Sequence, residues 1–497
     1  MYFLGLDIGS SSVKVAVIDG DNGKAVANAT YPPQEMVIDA PQAGWAEQDP
    51  DMWWDAVKKG CAQMWQEKPE VKDKIGAIGI SYQMHGLVAV DADGNVLRPS
   101  IIWCDSRAVE IGDAAAEALG EPWCMEHLLN SPGNFTAAKL RWVQENQPDI
   151  YARIDKILLP GDYIALKLTG ECTTTASGLS EGVMWDFASN QVADKLLEHW
   201  QIDPALVARQ VPNLGVAGEV SAEAAAELGI NPGAKLAFRA GDQVSNAFSL
   251  NVLEPGEVAT TAGTSGVVYA VTEKNIADAD QRINTFLHVN KDAPAHNGLL
   301  ACVNGAGRMN SWLRGMLSAG SEVSYPKLNE FADQAKIGSD GLTIHPFGNG
   351  AERLLQNRQL LGQIAGLDLN RHGLPHLARA TQEGVACAMN MGFELIKGLG
   401  AGTSLVRAGH SNMFLSPLFT EAFVNMTQAP LELYKTDSAE GVARAAAWGS
   451  DYYASRADVF RNLTRIQVVE PQAALQSQYQ ALYGHWREQL QHVLASQ

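Results

Sequence analysis

Basic residues, paired cysteines and long apolar runs are all scarce in this sequence. Lys and Arg number 37 against 56 Asp and Glu in 497 residues, a formal net charge of −19. A surface of this sign repels phosphodiester backbones and anionic lipid headgroups. The six cysteines form no CxxC pair, which argues against a disulfide framework and a structural zinc site. We therefore expect neither nucleic acid nor a membrane as a partner.

Targeting signals and the common nucleotide-binding motifs are absent as well. The first 19 residues have no basic stretch ahead of an apolar one, and Asp7 interrupts the apolar run, so we expect no secretory signal. No segment reaches about 18 consecutive apolar residues, the least that spans a bilayer as a helix. Neither GxxxxGK[ST] nor a GxGxxG after the first strand occurs, which argues against P-loop and Rossmann sites. A cytoplasmic protein fits these absences.

The composition that remains is that of a globular α/β protein. Hydrophobic residues make up 46% of the chain and charged residues 19%, and 497 residues suffice for two to four domains. Asp49 and Pro50 predict the start of an amphipathic helix. β-branched runs alternate with helical patterns, which is typical of α/β domains. These runs are residues 13–18, 75–80, 258–261 and 267–271.

An internal echo is the most informative feature of the sequence. Residues 9–17 align without gaps on residues 263–271, at an offset of 254 that is close to half the chain. In each copy a small-residue turn joins two strand-like runs, so each copy is predicted to be a β-hairpin. We expect two similar halves, residues 1–250 and 251–497, each opening with one hairpin.

The chemistry of these turns suits an anionic ligand. Turns of Gly, Ser and Thr let backbone N–H groups and hydroxyls approach an anion closely. Two such turns facing each other across a cleft would bind a polyphosphate. Oriented local dipoles can supply this attraction even where the net charge is strongly negative.

The paired hairpins resemble the phosphate loops of the superfamily that contains actin, heat-shock ATPases and sugar kinases. The rest of the chain resembles the FGGY carbohydrate kinases, most closely the xylulokinases among them. The similarity covers nearly the whole length. Its motifs are residues 5–9, 45–50, 83–86, 103–107, 135–142, 158–163, 241–243 and 263–266.

This resemblance implies both a fold and a reaction. The fold class is α/β, with two duplicated ribonuclease H-like/actin-like ATPase domains around a central cleft. The sugar would bind mainly to residues 1–250 and the nucleotide mainly to residues 251–497. The reaction would be direct transfer of phosphate from ATP, with Mg²⁺, to the 5-hydroxyl of D-xylulose in pentose catabolism. The expected partners are a ketopentose and ATP, and a homodimer is left open.

Two aspartates carry the implied catalysis. Asp242 follows an apolar run and corresponds to the family's catalytic base, which accepts the hydroxyl proton. Asp7 corresponds to the aspartate that serves the metal. Each has a plain alternative, because Gly-Asp pairs are common in turns and Asp7 could bond the amides of its own turn.

On the sugar side, the resemblance implies contacts from two segments and from the residue after the base. Asp105 or Arg107 is expected to bind sugar hydroxyls in addition. The implied substrate-binding residues are Gln83, Met84, His85, Trp103, Asp242 and Gln243.

On the nucleotide side, both hairpins and two further turns are implied. The family's Gly-Gly-Gly-Ala turn at the adenosine reads Ala-Gly-His-Ser-Asn at residues 408–412 here, a departure that leaves the nucleoside open. The turn at residues 304–307 is expected to offer free N–H groups at a helix start. The implied residues are Ser10, Ser11, Ser12, Lys14, Gly263, Thr264, Ser265, Gly266, Asn304, Gly305, Gly307, Gly409, His410 and Asn412.

Three alternatives stay open from the sequence. The chain could be a kinase for a neighbouring substrate such as ribulose, fuculose, gluconate or glycerol. It could be a sugar-binding protein that has lost phosphoryl transfer, as the altered turn at residues 408–412 would suggest. A chaperone-like or filament-forming ATPase fits least, because those proteins lack the sugar-side motifs.

Overall fold

Two mixed β-sheets organise the protein, one in each half of the chain. The computed structural model describes residues 1–289, 291, 296–318, 322–350 and 352–496. The strands of the first half are Tyr2–Ile8 (β1), Val13–Asp19 (β2), Ala25–Tyr31 (β3), Glu47–Gln48 (β4), Ile75–Tyr82 (β5), Val88–Val90 (β6), Ser100–Ile101 (β7), Lys156–Leu158 (β8), Thr173–Thr174 (β9), Trp185–Asp186 (β10), Gln191–Val192 (β11), Arg209–Gln210 (β12), Leu214–Glu219 (β13) and Lys235–Gly241 (β14). Those of the second half are Glu257–Ala262 (β15), Gly266–Thr272 (β16), Asn284–Leu287 (β17), Asn297–Val303 (β18), Thr343–His345 (β19), Gln363–Ala365 (β20), Leu405–Gly409 (β21), Leu431–Lys435 (β22) and Thr464–Val469 (β23).

Helices lie between these strands, as expected for an α/β fold. They are Pro50–Glu67 (α1), Val109–Leu119 (α2), Glu121–Trp123 (α3), Thr136–Asn146 (α4), Pro148–Tyr151 (α5), Pro160–Thr169 (α6), Ala176–Glu181 (α7), Asp194–Trp200 (α8), Ala222–Leu228 (α9), Asp242–Ser249 (α10), Ala306–Leu317 (α11), Tyr325–Ala332 (α12), Leu374–Gly398 (α13), Pro417–Thr427 (α14), Ser438–Gly449 (α15), Arg456–Phe460 (α16) and Ala473–Ala495 (α17). Among the described helices, none has both the length and the apolar character that crossing a membrane requires.

The two large sheets have the same strand order and directions. The first runs β13-β14-β5-β1-β2-β3 and the second runs β23-β22-β21-β15-β16-β18, with β17 added beyond β18. In both sheets the hairpin is antiparallel, its first strand pairs in parallel with the next strand inward, and the far edge strand is antiparallel. The duplication predicted from the echo at residues 9–17 and 263–271 is therefore confirmed.

Helix α1 forms as its sequence predicts. The Asp49 side chain accepts a hydrogen bond from the Asp51 N–H, and Pro50 occupies the first helical position. This satisfies one of the N–H groups that a helix start leaves without an internal partner. The predicted apolar face, which is buried against the first sheet, contains Trp53, Val57, Cys61 and Met64.

Helix α15 belongs to the second half in sequence but packs on the first sheet. Its contacts are with β1, β5, β14 and β2. Gly5 and Gly79 are paired between β1 and β5, and a methyl group on either would collide with the backbone of Ala439 or Val442. The two glycines let the helix lie directly on the sheet. As a result, one hydrophobic cluster contains residues from both halves, such as Phe3, Val442 and Phe286 among its members.

Candidate active site

Asp242 lies where β14 ends and α10 begins. This is the carboxyl end of a parallel pair of strands, the usual place for a functional group in an α/β sheet. Burial, together with the nearby Asp7 carboxylate, raises the pKa of Asp242 to about 7, while hydrogen bonds from Gln243 act in the opposite direction. A carboxylate with such a pKa can accept a proton near neutral pH.

Asp7 occupies the end of β1, directly across the first hairpin from Lys14. The Lys14 Nζ lies 4.0 Å from Asp7 Oδ2, and the two residues are paired in the β1–β2 register. Burial raises the pKa of Asp7 and Lys14 lowers it. Ser81, Ser438 and Asp437 also face this carboxyl group, and no sequence pattern indicated any of the three. They come from β5 and from the start of α15, which reaches this site from the other half.

The residues around Asp7 fit a magnesium ion. The Asp437 charge contributes to the raised pKa of Asp7, and the Asp7 charge contributes to that of Asp242, so a divalent cation would relieve the repulsion at Asp7. Within the described residues, no three His, Cys, Asp or Glu side chains converge on one point. Mg²⁺ commonly takes only one or two carboxylates and fills its other positions with water and substrate phosphates.

Met84 and His85 lie next to the strand that carries Asp242. A side chain on Gly241 would collide with Met84, and the His85 backbone adopts a φ of 63°, which only few non-glycine residues do. His85 Nδ1 lies 2.8 Å from the Glu181 carbonyl oxygen. Because a carbonyl only accepts, Nδ1 carries the proton and Nε2 is left as an acceptor.

The His85 ring stays uncharged in this position. It packs against Phe135 and Phe286, with ring centroids 4.9 and 5.2 Å away. Burial and the neighbouring Lys139 lower the pKa of His85 to about 3. The structure therefore presents a neutral imidazole whose Nε2 makes no hydrogen bond with the described residues, a group that suits a hydroxyl donor.

Gln83 and Trp103 connect the sugar-side segments with the first hairpin. The Gln83 N–H donates to Ile8 O at 2.8 Å, and the Trp103 Nε1 donates to Ser10 Oγ at 3.3 Å. The Trp103 side chain is 47% exposed, so it is a surface wall and not part of the core. Gln243 has a buried amide oxygen without a partner in the described part of the chain, which leaves it available to a ligand.

Asp105 and Arg107 do not act as the expected hydroxyl ligands. The Arg107 guanidinium bonds both Asp105 carboxylate oxygens, at 2.6 to 3.0 Å, and also pairs with Glu47 at 2.6 Å. The Asp105 carboxylate accepts from the Ala46 N–H as well, and Arg107 stacks on Trp45. Both side chains are buried and fully engaged in the protein, so they hold the 45–47 and 103–107 segments together.

The first hairpin turn leaves its small residues accessible. The Gly9 N–H donates to Ser12 O at 3.1 Å, which closes the turn. Ser11 is exposed, Ser10 and Ser12 are half-buried, and Lys14 is exposed on β2. The turn therefore offers hydroxyl groups and a cation beside Asp7.

The second hairpin turn is linked to Asp242 through Cys302. Thr264 is exposed, and Ser265 bonds the Cys302 thiol, whose pKa is raised by burial and partly by Asp242. The Gly263 carbonyl packs against Gly307. The two predicted turns are thus within electrostatic reach of the same carboxylate.

The turn at residues 304–307 differs from expectation. The Glu352 carboxylate accepts from the Asn304 and Gly305 N–H groups, with the Asn304 contact at 3.1 Å. The Arg308 N–H donates to Thr264 O at 3.1 Å. These donors bond protein acceptors and are not free for phosphate, because they hold the second hairpin turn on the start of α11.

Gly409 ends β21, His410 and Asn412 follow it, and Asn412 flanks the second hairpin turn. The Asn412 side chain lies beside Gly263, with Nδ2 3.5 Å from where a Cβ of Gly263 would be. The His410 N–H donates to Tyr434 O at 2.8 Å and leaves the side chain exposed. The altered turn therefore presents two polar side chains in place of glycines.

Glu181 is a further acidic group that no sequence pattern indicated. Its carboxyl group abuts the Gly241 backbone and Met84, and neither oxygen has a hydrogen-bond partner of normal geometry in the described residues. Burial raises the pKa of Glu181 well above its usual value, with the Asp242 charge acting in the same direction. A buried carboxyl group thus lies next to the strand end that carries Asp242.

Known proteins share sequence and fold with this chain. Residues 2–249 match the model of the FGGY family of carbohydrate kinases, N-terminal domain. The xylulose kinase of Escherichia coli K12 is 30% identical over 399 residues, 80% of this chain and 79% of that protein. The crystal structure of xylulose kinase from Rhodospirillum rubrum has a TM-score of 0.86 at 26% identity, covering 100% and 99% of the two chains. A gluconate kinase from Lactobacillus acidophilus, with 22% identity and a TM-score of 0.87 over 100% and 98% of the chains, shares the fold. The chain therefore belongs to the FGGY family of carbohydrate kinases.

Proposed function

We propose that this kinase transfers phosphate from ATP to the 5-hydroxyl of D-xylulose and produces D-xylulose 5-phosphate for pentose catabolism. The observation that carries the proposal is that the Asp242 charge interacts both with Asp7 of the first hairpin and with Cys302, the hydrogen-bond partner of Ser265 in the second. Met84 lies beside the same strand end. The similarity to xylulose kinases supports the choice of the ketopentose.

Each step of the transfer has a candidate group in the chain. Asp242, with a pKa of about 7, accepts the proton of the 5-hydroxyl as that oxygen attacks the γ-phosphorus in line. Neutral His85 accepts a hydrogen bond from another sugar hydroxyl through Nε2. Asp7, with Asp437 beside it, would hold Mg²⁺, which when bound supplies neutralising charge to the phosphates.

The sugar and the nucleotide bind mainly to different halves of the chain. Residues 1–250 contribute the sugar-side segments, and residues 251–497 contribute the second hairpin with Gly409, His410 and Asn412 for the nucleotide. The Ser10–Ser12 turn and Lys14 add to the phosphate side from the first half. When the two halves close around both substrates, they exclude water from the site. Because closure needs the sugar, ATP hydrolysis is limited in its absence.

A coupled assay of ADP release tests the substrate. D-Xylulose is compared with ribulose, fuculose, gluconate and glycerol at matched concentrations with ATP and Mg²⁺, and the product of the preferred sugar is identified by NMR. We expect the highest kcat/KM for D-xylulose. A higher value for another acceptor would reassign the substrate, and sugar binding without turnover would indicate a binding protein.

A further inference from the structure

Lys139 is a buried lysine that the reaction described above does not use. It lies on α4, its side chain has no solvent exposure, and in the described residues no carboxylate approaches its Nζ within 4.0 Å. Burial lowers the pKa of Lys139 to about 7, with Asp105 and Cys104 acting in the opposite direction and Arg107 in the same one. An apolar side chain of equal length would avoid this cost.

The amino group of Lys139 bonds two backbone carbonyls from separate segments. Nζ donates to His85 O at 2.8 Å and to Ile102 O at 2.9 Å. His85 belongs to the first sugar-side segment, and Ile102 immediately precedes Trp103 of the second. One side chain therefore fixes the distance between the two segments that the proposed function places around the sugar.

The local backbone needs this support. His85 has the left-handed φ of 63°, a strained conformation for a non-glycine residue. Its ring is held by Glu181 O, and its carbonyl is held by Lys139. Without the amino group, the buried His85 and Ile102 carbonyls would lose a partner, and the peptide at His85 could rotate.

We propose that Lys139 is a positioning residue for the sugar acceptor, acting through the His85 and Ile102 carbonyls on Met84, His85 and Trp103. This inference rests on the proposed function. Among the described residues, the Lys139 amino group bonds only the His85 and Ile102 carbonyls and neither hairpin turn, so its main effect should appear on the sugar and less on the nucleotide. The uncharged amine still has two N–H groups for the two carbonyls, so the tether survives loss of its proton.

The test compares Lys139→Met with wild-type enzyme in steady-state kinetics. We expect kcat/KM for the preferred sugar to fall roughly 10- to 100-fold, the usual effect of displacing a substrate by about 1 Å. The KM for ATP and the sugar-independent ATP hydrolysis should stay within about twofold. The matched control is Lys156→Met, because Lys156 Nζ also donates to two backbone carbonyls, those of Asp155 and Ala205, away from the site.

The possible results separate this proposal from the proposed function. Equal losses for sugar and ATP, or unchanged sugar kinetics, would overturn the positioning role while leaving the sugar kinase in place. A wild-type enzyme that phosphorylates no sugar would overturn both. If Lys139→Met does not fold, Lys139→Arg and Lys139→Gln take its place, and the donor-rich Arg variant should keep more of the sugar kcat/KM than Gln.

Discussion

At the scale of single residues, the site depends on acidic groups placed close together. Asp7, Asp437 and Asp242 face one another, and Glu181 lies behind the strand end that carries Asp242. Burial, together with the charges of neighbouring carboxylates, raises the pKa of Asp7, Asp242 and Glu181, that of Asp242 to about 7. The base is therefore matched to the pH at which the sugar hydroxyl must be deprotonated.

The first prediction concerns Asp242→Asn. The amide cannot accept the hydroxyl proton, so kcat should fall roughly 100- to 10,000-fold. Calorimetry should give sugar and ATP dissociation constants within a few-fold of wild type. Asp340→Asn serves as the control. The exposed Asp340 carboxylate pairs with the His376 ring and belongs to neither hairpin. Near wild-type turnover in Asp242→Asn would remove the residue from the role of base.

The second prediction concerns a buried histidine outside the site. Burial, with His296 nearby, lowers the pKa of His288 to about 3, and its Nδ1 lies 3.0 Å from the Tyr269 hydroxyl. The unfolded chain binds this proton below about pH 6.5, whereas the native state stays unprotonated to about pH 3. Protonation of the unfolded state therefore makes the wild-type protein lose stability as the pH falls through this window.

His288→Gln removes that proton uptake. As the pH falls from about 6 to 4, the free energy of unfolding of the variant should rise relative to that of wild type by about 1.4 kcal/mol per pH unit. Urea denaturation at several pH values measures the difference. The variant-minus-wild-type comparison cancels the contribution of other titrating groups. A difference that does not change with pH would show that His288 is protonated in the native state.

At the scale of elements, α15 depends on glycine in the sheet beneath it. Its backbone passes so close to Gly5 and Gly79 that neither position has space for a side chain. Ser438 at its first turn donates to Ser81 Oγ at 3.2 Å, next to Asp7. Helix α15 thus packs the second half against the first and also contributes Ser438 to the site.

The third prediction follows from this contact. Gly79→Ala should lower the free energy of unfolding by about 1–3 kcal/mol or more, because the added methyl group forces α15 off the sheet. Gly484→Ala is the control, since Gly484 is exposed on α17 with nothing within 4 Å of an added Cβ. The control should be neutral or more stable by about 0.5–1 kcal/mol, as expected for a helical glycine. Equal thermal midpoints for both variants would contradict the packing argument.

Features that depend on neighbouring residues could be predicted from the sequence, whereas contacts between residues far apart in the chain could not. The hairpins, the cap of α1 at Asp49 and the sheet duplication follow from local patterns or from the internal echo, and all are confirmed. The packing of α15 on β1 joins residues more than 400 positions apart, and no local pattern reports it. Asp105 and Arg107 were misassigned because polarity in a motif does not reveal that the two side chains pair with each other. The N–H groups of Asn304 and Gly305 were likewise taken up by a distant carboxylate, Glu352.

At the scale of the whole molecule, two similar halves meet around the carboxylate of Asp242. A single hydrophobic cluster extends through both halves, so they share a core on one side of the site. The residues proposed for the sugar all lie before residue 250. From the second half, the start of α15 contributes Asp437 and Ser438 next to Asp7. Movement of one half on the other would then bring the phosphate donor to the acceptor.

The fourth prediction concerns this movement. Small-angle X-ray scattering of the Asp242→Asn variant should show a smaller radius of gyration with sugar and ATP together than with either one, because this variant binds both without turnover. Wild-type ATP hydrolysis should be low without sugar. Glycine betaine at the same concentration, which has no hydroxyl group to accept phosphate, controls for solvent effects. An unchanged radius together with rapid hydrolysis in the absence of sugar would contradict closure.

The crossing of α15 has a consequence for synthesis on the ribosome. The last long strand of the first sheet, β14, ends at Gly241, and the helix that covers this sheet begins at Ser438. At translation rates of about 5–20 residues per second, the nascent chain waits roughly 10 to 40 s for that cover. During this interval the apolar face around Phe3 and Ala77 is open to solvent and to other chains. Co-translational holding by chaperones is therefore most valuable in the second half of elongation.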